Sequence, residues 1–202
     1  MNNVPPVDDA APQSDVVPVR NVALVSTPAT VSNAAELRAA LAAADDGAVI
    51  SLASGEYAGS WVLSKSVTLS CDAGDASLVG DGGAVVVVQA DDVEITLRGL
   101  ELRGGHSEVG GGVTVTGFCT VLLDGCTLNG NRQGEGPGSA CFVSAGTLQL
   151  RSCELHNNGI GTAVAAQGVA TLRMANCSVT GESATTGALV SVRAGAEALF
   201  ED

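Results

Sequence analysis

Residues 97–105 read LRGLELRGG, residues 123–131 LDGCTLNGN, residues 150–158 LRSCELHNN and residues 174–182 MANCSVTGE. Set one under another, these stretches align in four columns. The first column is Leu97, Leu123, Leu150 and Met174; the second is Leu100, Cys126, Cys153 and Cys177. The third is Leu102, Leu128, Leu155 and Val179, and the fourth is Gly104, Gly130, Asn157 and Gly181. Successive units start 26, 27 and 24 residues apart. Side chains of a strand alternate between its two faces, so columns one to three point inward and the residues between them outward. The fourth column holds only Gly and Asn, the residues that accept a left-handed turn at least cost.

A second strand follows in each unit, at residues 111–117, 140–146, 162–168 and 189–195. Its inward pairs are Val113/Val115, Cys141/Val143, Val164/Ala166 and Val190/Val192. One such unit cannot bury its own apolar face. Stacking like on like buries a continuous core, the signature of a solenoid. Parallel pairing also suits the near-continuous valines of AVVVVQA at 84–90. Two earlier coils are expected, one through Ile50, Leu52, Trp61, Leu63, Val67 and Leu69, the next through Leu78 and Val85–Val88. About six coils, each advancing about 4.8 Å, predict a rod roughly 29 Å tall. The composition agrees: 26 of 202 residues are glycine and only five are aromatic, as a narrow interior with many turns requires.

Residues 33–44, NAAELRAALAAA, predict a capping helix with Asn33 as N-cap and Glu36 three residues on. Residues 1–30 hold four prolines before position 20 and are expected to be a flexible tail or lead-in, so the domain is expected at 31–202. The opening coil carries Gly55, Tyr57, Lys65, Ser66, Val67, Thr68 and Leu69, and the next repeat Gly99, Leu100 and Leu102. In these motifs the chain resembles right-handed parallel β-helix proteins of the pectin-lyase-like superfamily. The resemblance covers roughly residues 31–202 and implies an all-β, right-handed, three-sheet solenoid behind an N-terminal helix. Members of that superfamily include lyases, hydrolases, epimerases and binding modules, so it implies no single activity.

Acidic residues number 22 against nine basic ones, and Lys65 is the single lysine. A chain of net charge −13 lacks the basic face and stacking rings that nucleic acids require. Mimicry of nucleic acid by an acidic rod is disfavoured because the outward columns mix their signs. No run of 18 apolar residues exists to span a membrane. The first residues lack the basic and apolar regions of a signal peptide, which reads as cytoplasmic as written, or as secreted had a signal been trimmed. The six cysteines show no zinc spacing, so no metal and no cofactor is expected. They are expected to be buried, unpaired core residues.

On the outward columns, Arg98, Asp124 and Arg151 would form a charge-alternating ladder able to hold a carboxylate, or an ordinary surface ion-pair row. Arg103, Glu154 and His156 share a face and are the candidate catalytic groups, with Glu154 and His156 as acid and base. Glu101 and Glu154, two coils apart, are too distant to share Ca²⁺. The longest turn, 129–140, carries Arg132 and Glu135 as candidate binding residues. Tyr57 and Trp61 are the rings expected to offer a sugar platform. These features favour a non-catalytic interaction or assembly module. It would bind a protein partner or self-associate through its ends or faces; the C-terminal coil is expected to be covered by Phe200 folding back or, alternatively, by a second chain or a partner. The alternative is a carbohydrate-binding or carbohydrate-active β-helix acting on a polysaccharide.

Overall fold

The computed structural model describes residues 29–73, 75–181 and 188–201. Nearly all of the expected tail therefore lies outside the described residues, which begin with strand Ala29–Val31, paired in parallel with Ala48–Leu52. Helix Ala34–Ala43 follows, with Asn33 as N-cap. Asn33 Oδ1 accepts the Glu36 N–H at 3.0 Å. Glu36 reaches one residue past the usual capping-box partner and accepts the Ser32 N–H at 2.8 Å and the Ser32 hydroxyl at 2.9 Å. Those hydrogen bonds hold its carboxyl below the ordinary carboxylate range. Lys65 donates to the carbonyl of the C-cap Ala44 at 2.7 Å, closing the other helix end.

Beyond the helix the chain is a parallel β-solenoid whose turns each supply one strand to each of three faces. The first face stacks Ala48–Leu52, Val67–Ser70, Glu94–Arg98, Thr120–Asp124, the second halves of Cys141–Arg151 and Val164–Ala175, and Glu197–Glu201. The second face stacks Gly55–Ala58, Ala76–Val79, Leu100–Arg103, Thr127–Asn129, Glu154–His156 and Ser178–Thr180. The third runs from Trp61–Val62 through Val86–Val88 and Val113–Val115 to the first halves of the two long strands and Val190–Val192. The six strands of the second face span five steps, so the solenoid makes about five turns, one fewer than the expected coil count. At about 4.8 Å per step that face is roughly 24 Å tall.

The sequence columns are the register. Leu123 lies between Leu97 and Leu150, and Met174 follows Leu150. Leu128 lies between Leu102 and Leu155, and the column extends down through Leu78 to Tyr57 and up to Val179. Leu97, Leu102, Leu123, Leu128 and Leu155 have no measurable exposure above 1%. Each such burial contributes roughly 1.5–3 kcal/mol. All four residues of the fourth column, Gly104, Gly130, Asn157 and Gly181, have φ between +57° and +68°. A second left-handed column turns the chain from the first face to the second, at Gly99, Gly125, Ser152 and Asn176. Gly99 has a further reason to be glycine: a Cβ there would come within 2.6 Å of the Cys71 carbonyl oxygen.

At the helix end the core is closed. Leu37 is wholly buried, and the Tyr57 hydroxyl lies 2.7 Å from the Val31 carbonyl and 2.8 Å from that of Ala53. Arg38 lies over the Trp61 ring, 5.1 Å from its centroid, and donates to Ala58 O. Tyr57 and Trp61 are 0% and 2% exposed, so neither is the sugar platform that the sequence suggested. They are core filler at the first rung.

Alternation fails on the third face. Val113–Val115 and Cys141–Val143 are buried on both sides, Thr114 and Phe142 included. The long turns fold back over them: the Thr114 hydroxyl lies 2.9 Å from the carbonyls of Val109 and Gly110. Gly110 and Gly138 pass close to Phe142, where a Cβ would lie 2.9 and 3.3 Å from that of Phe142.

Candidate functional site

The corner between the second and third faces changes length from rung to rung, running over 104–112, then 130–140, then 157–163. In the first two of these the chain makes short strands His106–Ser107 and Arg132–Gln133, paired in parallel as a two-stranded sheet. The next corner is shorter and supplies no third strand among the described residues. A groove of about 520 Å³ opens there, lined by Arg132, Gln133 and Gly134 of one rung, Asn157, Gly159 and Ile160 of the next, and Gly181 of a third.

Gln133 crosses the groove floor. Its amide nitrogen donates to the Ile160 carbonyl, and its buried Oε1 has no hydrogen-bond partner. Gly159 is left-handed, with φ +67°, and a Cβ there would lie 2.9 Å from that same oxygen. Arg132 and Ile160 are exposed at the rim. The Glu108 carboxylate lies against Gly134 at one end: a Cβ on that glycine would come within 2.8 Å of it. Glu135 is exposed on the same turn but does not line the groove.

Beneath the groove lies a polar ladder that the sequence did not announce. Asn131 and Asn158 are both fully buried. The Asn131 side chain donates to Leu102 O at 2.9 Å and to Asn158 Oδ1 at 3.0 Å, and accepts the Gly105 N–H at 3.0 Å. Asn158 donates to Leu128 O at 2.8 Å. Interior amides of this kind are stable because their donors and acceptors are matched. The signal that could have found them is the column after the fourth, Gly105, Asn131 and Asn158, where an amide repeats from one rung to the next.

The other candidates fall elsewhere. Asp124 lies between Arg98 and Arg151 in register, as expected, but only Arg98 pairs with it, at 3.3 Å. Arg151 makes no ion pair among the described residues and, with Arg173, flanks a shallow recess on the first face. Arg103 is held between Glu56 and Glu101, the latter at 3.3 Å. Asn129 separates it from His156 by a rung. Glu154 and His156 share a strand and the same outward side, and His156 Nδ1 lies 3.2 Å from the Asn157 side-chain nitrogen. The three candidate catalytic groups thus share a face without touching. Thr127 separates Glu101 from Glu154, which keeps the two carboxylates two rungs apart.

Two exposed rings lie outside the groove. Phe118, 61% exposed, borders an open recess with Asp92, Glu94, Thr120 and Thr147. On strand Glu197–Glu201, Phe200 continues the first core column opposite Met174 yet is 57% exposed, so it does not fold over the last rung. Comparison with protein-family models, with curated proteins and with solved structures finds no match for this chain.

Proposed function

We propose that this chain is a non-catalytic interaction module, a right-handed β-helix of the pectin-lyase-like kind, that holds an extended segment of a protein partner in the groove beside Arg132–Gln133. The observation that carries this reading is the orphaned Gln133 Oε1 in a groove where, among the described residues, the next corner adds no third strand to the two-stranded sheet and only Ile160 stands in a β-bridge. A buried carbonyl oxygen without a donor costs roughly 1–3 kcal/mol. A backbone N–H of an added strand relieves that cost, and strand addition is a recurrent mode of peptide capture. Arg132 at the rim then favours a segment bearing a carboxylate. Selection of displayed peptides on the whole chain tests this. Extended, carboxylate-bearing sequences should be enriched, and Arg132→Ala and Gln133→Ala should each weaken them about tenfold. No enrichment, or binding by either variant equal to that of the unaltered chain, contradicts the reading.

Carbohydrate binding is the second reading, and the exposed Phe118 ring favours it. An aromatic face beside Asp92, Glu94, Thr120 and Thr147 suits stacking plus hydroxyl recognition. Retention on a polysaccharide column that Phe118→Ala abolishes would select it. Cleavage lost in His156→Ala would make the chain an enzyme. Self-association through the last rung, supported by exposed Leu199 and Phe200, is read by sedimentation.

A further inference from the structure

Cys126, Cys153 and Cys177 occupy one column, each just after a left-handed residue at the corner between the first and second faces. They repeat one arrangement. Their Sγ atoms lie 3.3, 3.4 and 3.4 Å from the carbonyl oxygens of Leu97, Leu123 and Leu150, one rung below. Strands Glu154–His156 and Ser178–Thr180, which start one residue after Cys153 and Cys177, pair in register. Neighbouring strands place equivalent Cα atoms about 4.8 Å apart, within the roughly 4.4–6.8 Å that a disulfide spans. All six cysteines are free thiols in this structure; five are buried, and Cys177 is half-buried. Cys177 thus departs from the expectation that every thiol is enclosed.

We propose that Cys177 and Cys153 form a redox site in which a hydroperoxide oxidises Cys177 and Cys153 then closes a disulfide between adjacent rungs. The Cys177 thiolate attacks the terminal peroxide oxygen; the O–O bond breaks, leaving a sulfenic acid at Cys177 and an alkoxide that takes up a proton. Cys153 then loses its proton, and its sulfur attacks the Cys177 sulfur. The S–O bond breaks and hydroxide leaves with that proton as water. Two thiols and one hydroperoxide yield one disulfide, one alcohol and one water.

The thiols are poised for these two roles. Pairing with the Cys153 side chain holds the Cys177 thiol below the ordinary thiol range. Cys153 is raised, first by that same pairing and then by burial. Oxidation of Cys177 consumes its charge and so removes the leading cause of the rise in Cys153. Cys126, buried beside them, is pushed up to about 11, chiefly by burial, and Cys141 is raised by burial as well. Neither is the first thiol to react.

Hydrogen peroxide applied to the whole chain, followed by peptide mapping, tests the proposal. The expected product is an intramolecular Cys153–Cys177 cross-link with the other four cysteines still reduced. Cys153→Ser should leave a sulfenic acid at Cys177 that a 1,3-dione captures, and Cys177→Ser should give no cross-link. First oxidation at another cysteine, a cross-link that survives Cys177→Ser, or one that joins two chains overturns it. Alkylation of the unaltered chain requires no variant to fold. One thiol, Cys177, should label well ahead of the rest at neutral pH; first labelling of another thiol, or labelling of all six together, overturns the assignment.

Discussion

The two corners that flank the second face follow different rules. Entering it, the last four rungs turn on a single left-handed residue followed by Leu100, Cys126, Cys153 or Cys177. Leaving it, each rung again begins with a left-handed residue, Gly104, Gly130, Asn157 or Gly181, but the corner then runs to different lengths. The first corner fixes register, because a one-residue change there would move every inward side chain to the outward face. The second starts from the same geometry and then spends its extra residues outside the core. Its long versions make a two-stranded sheet and cover Thr114 and Phe142, and its short version leaves the groove. Scaffold and candidate site are therefore separated by corner.

The largest expected effect belongs to the regular part. Leu128→Ala removes a fully buried side chain from between Leu102 and Leu155 and should cost about 2–5 kcal/mol, read from the urea midpoint. A loss under 1 kcal/mol would mean that the column is not close-packed. Next is Asn131→Ala, which orphans the Gly105 N–H, takes one donor from the Leu102 carbonyl and should cost about 2–4 kcal/mol. That change links the two corners, since the ladder carries the irregular one. Gly125→Ala should cost about 1 kcal/mol, the penalty of a left-handed alanine with open space around its Cβ. Gly125→Asn should cost only a few tenths, because Asn176 holds the same position in that column two rungs higher. Gly99→Ala should exceed both, through its clash with the Cys71 carbonyl.

In the irregular corner, Arg132→Ala should shift stability by no more than about 0.5 kcal/mol while weakening peptide capture. The smallest effect lies at the helix cap. Glu36 has a folded pKa below its unfolded one, so its contribution is present above the ordinary carboxylate pKa and lost as pH falls through the folded value. The unfolding midpoints of the protein and of Glu36→Gln should therefore converge on acidification. A gap that persists under acid conditions would assign the cap to Asn33 alone.

Much of the fold was legible because the chain repeats its own spacing. Aligning Leu102, Leu128 and Leu155 by eye gives the observed strand register, and Gly or Asn in the fourth column marks the observed turns. What escaped has one physical cause: it depends on residues far apart in sequence that the stacking brings together. Arg103 reads as a free cation until Glu56, 47 residues earlier, is found two rungs below it. Asn131 and Asn158 carry no signal of their own in the sequence, since each matters only by bonding the rung beneath. Phe142 reads as an outward ring until the turn holding Gly138 folds over it. The groove was half visible: the turn 129–140 stood out by its length and Arg132, but Gln133 gave no signal, because its importance comes from the shortness of the next corner.

Insertion of four Gly/Ser residues tests the division between corners most directly. Placed after Gly125, the insertion should break the register of the faces on both sides and lower the unfolding midpoint steeply, or leave no cooperative transition. Placed after Glu135, where the chain already varies from rung to rung, it should leave the midpoint nearly unchanged. Equal losses at the two sites, or a greater loss at Glu135, would contradict the account of a register-fixing corner and a tolerant, ligand-holding one.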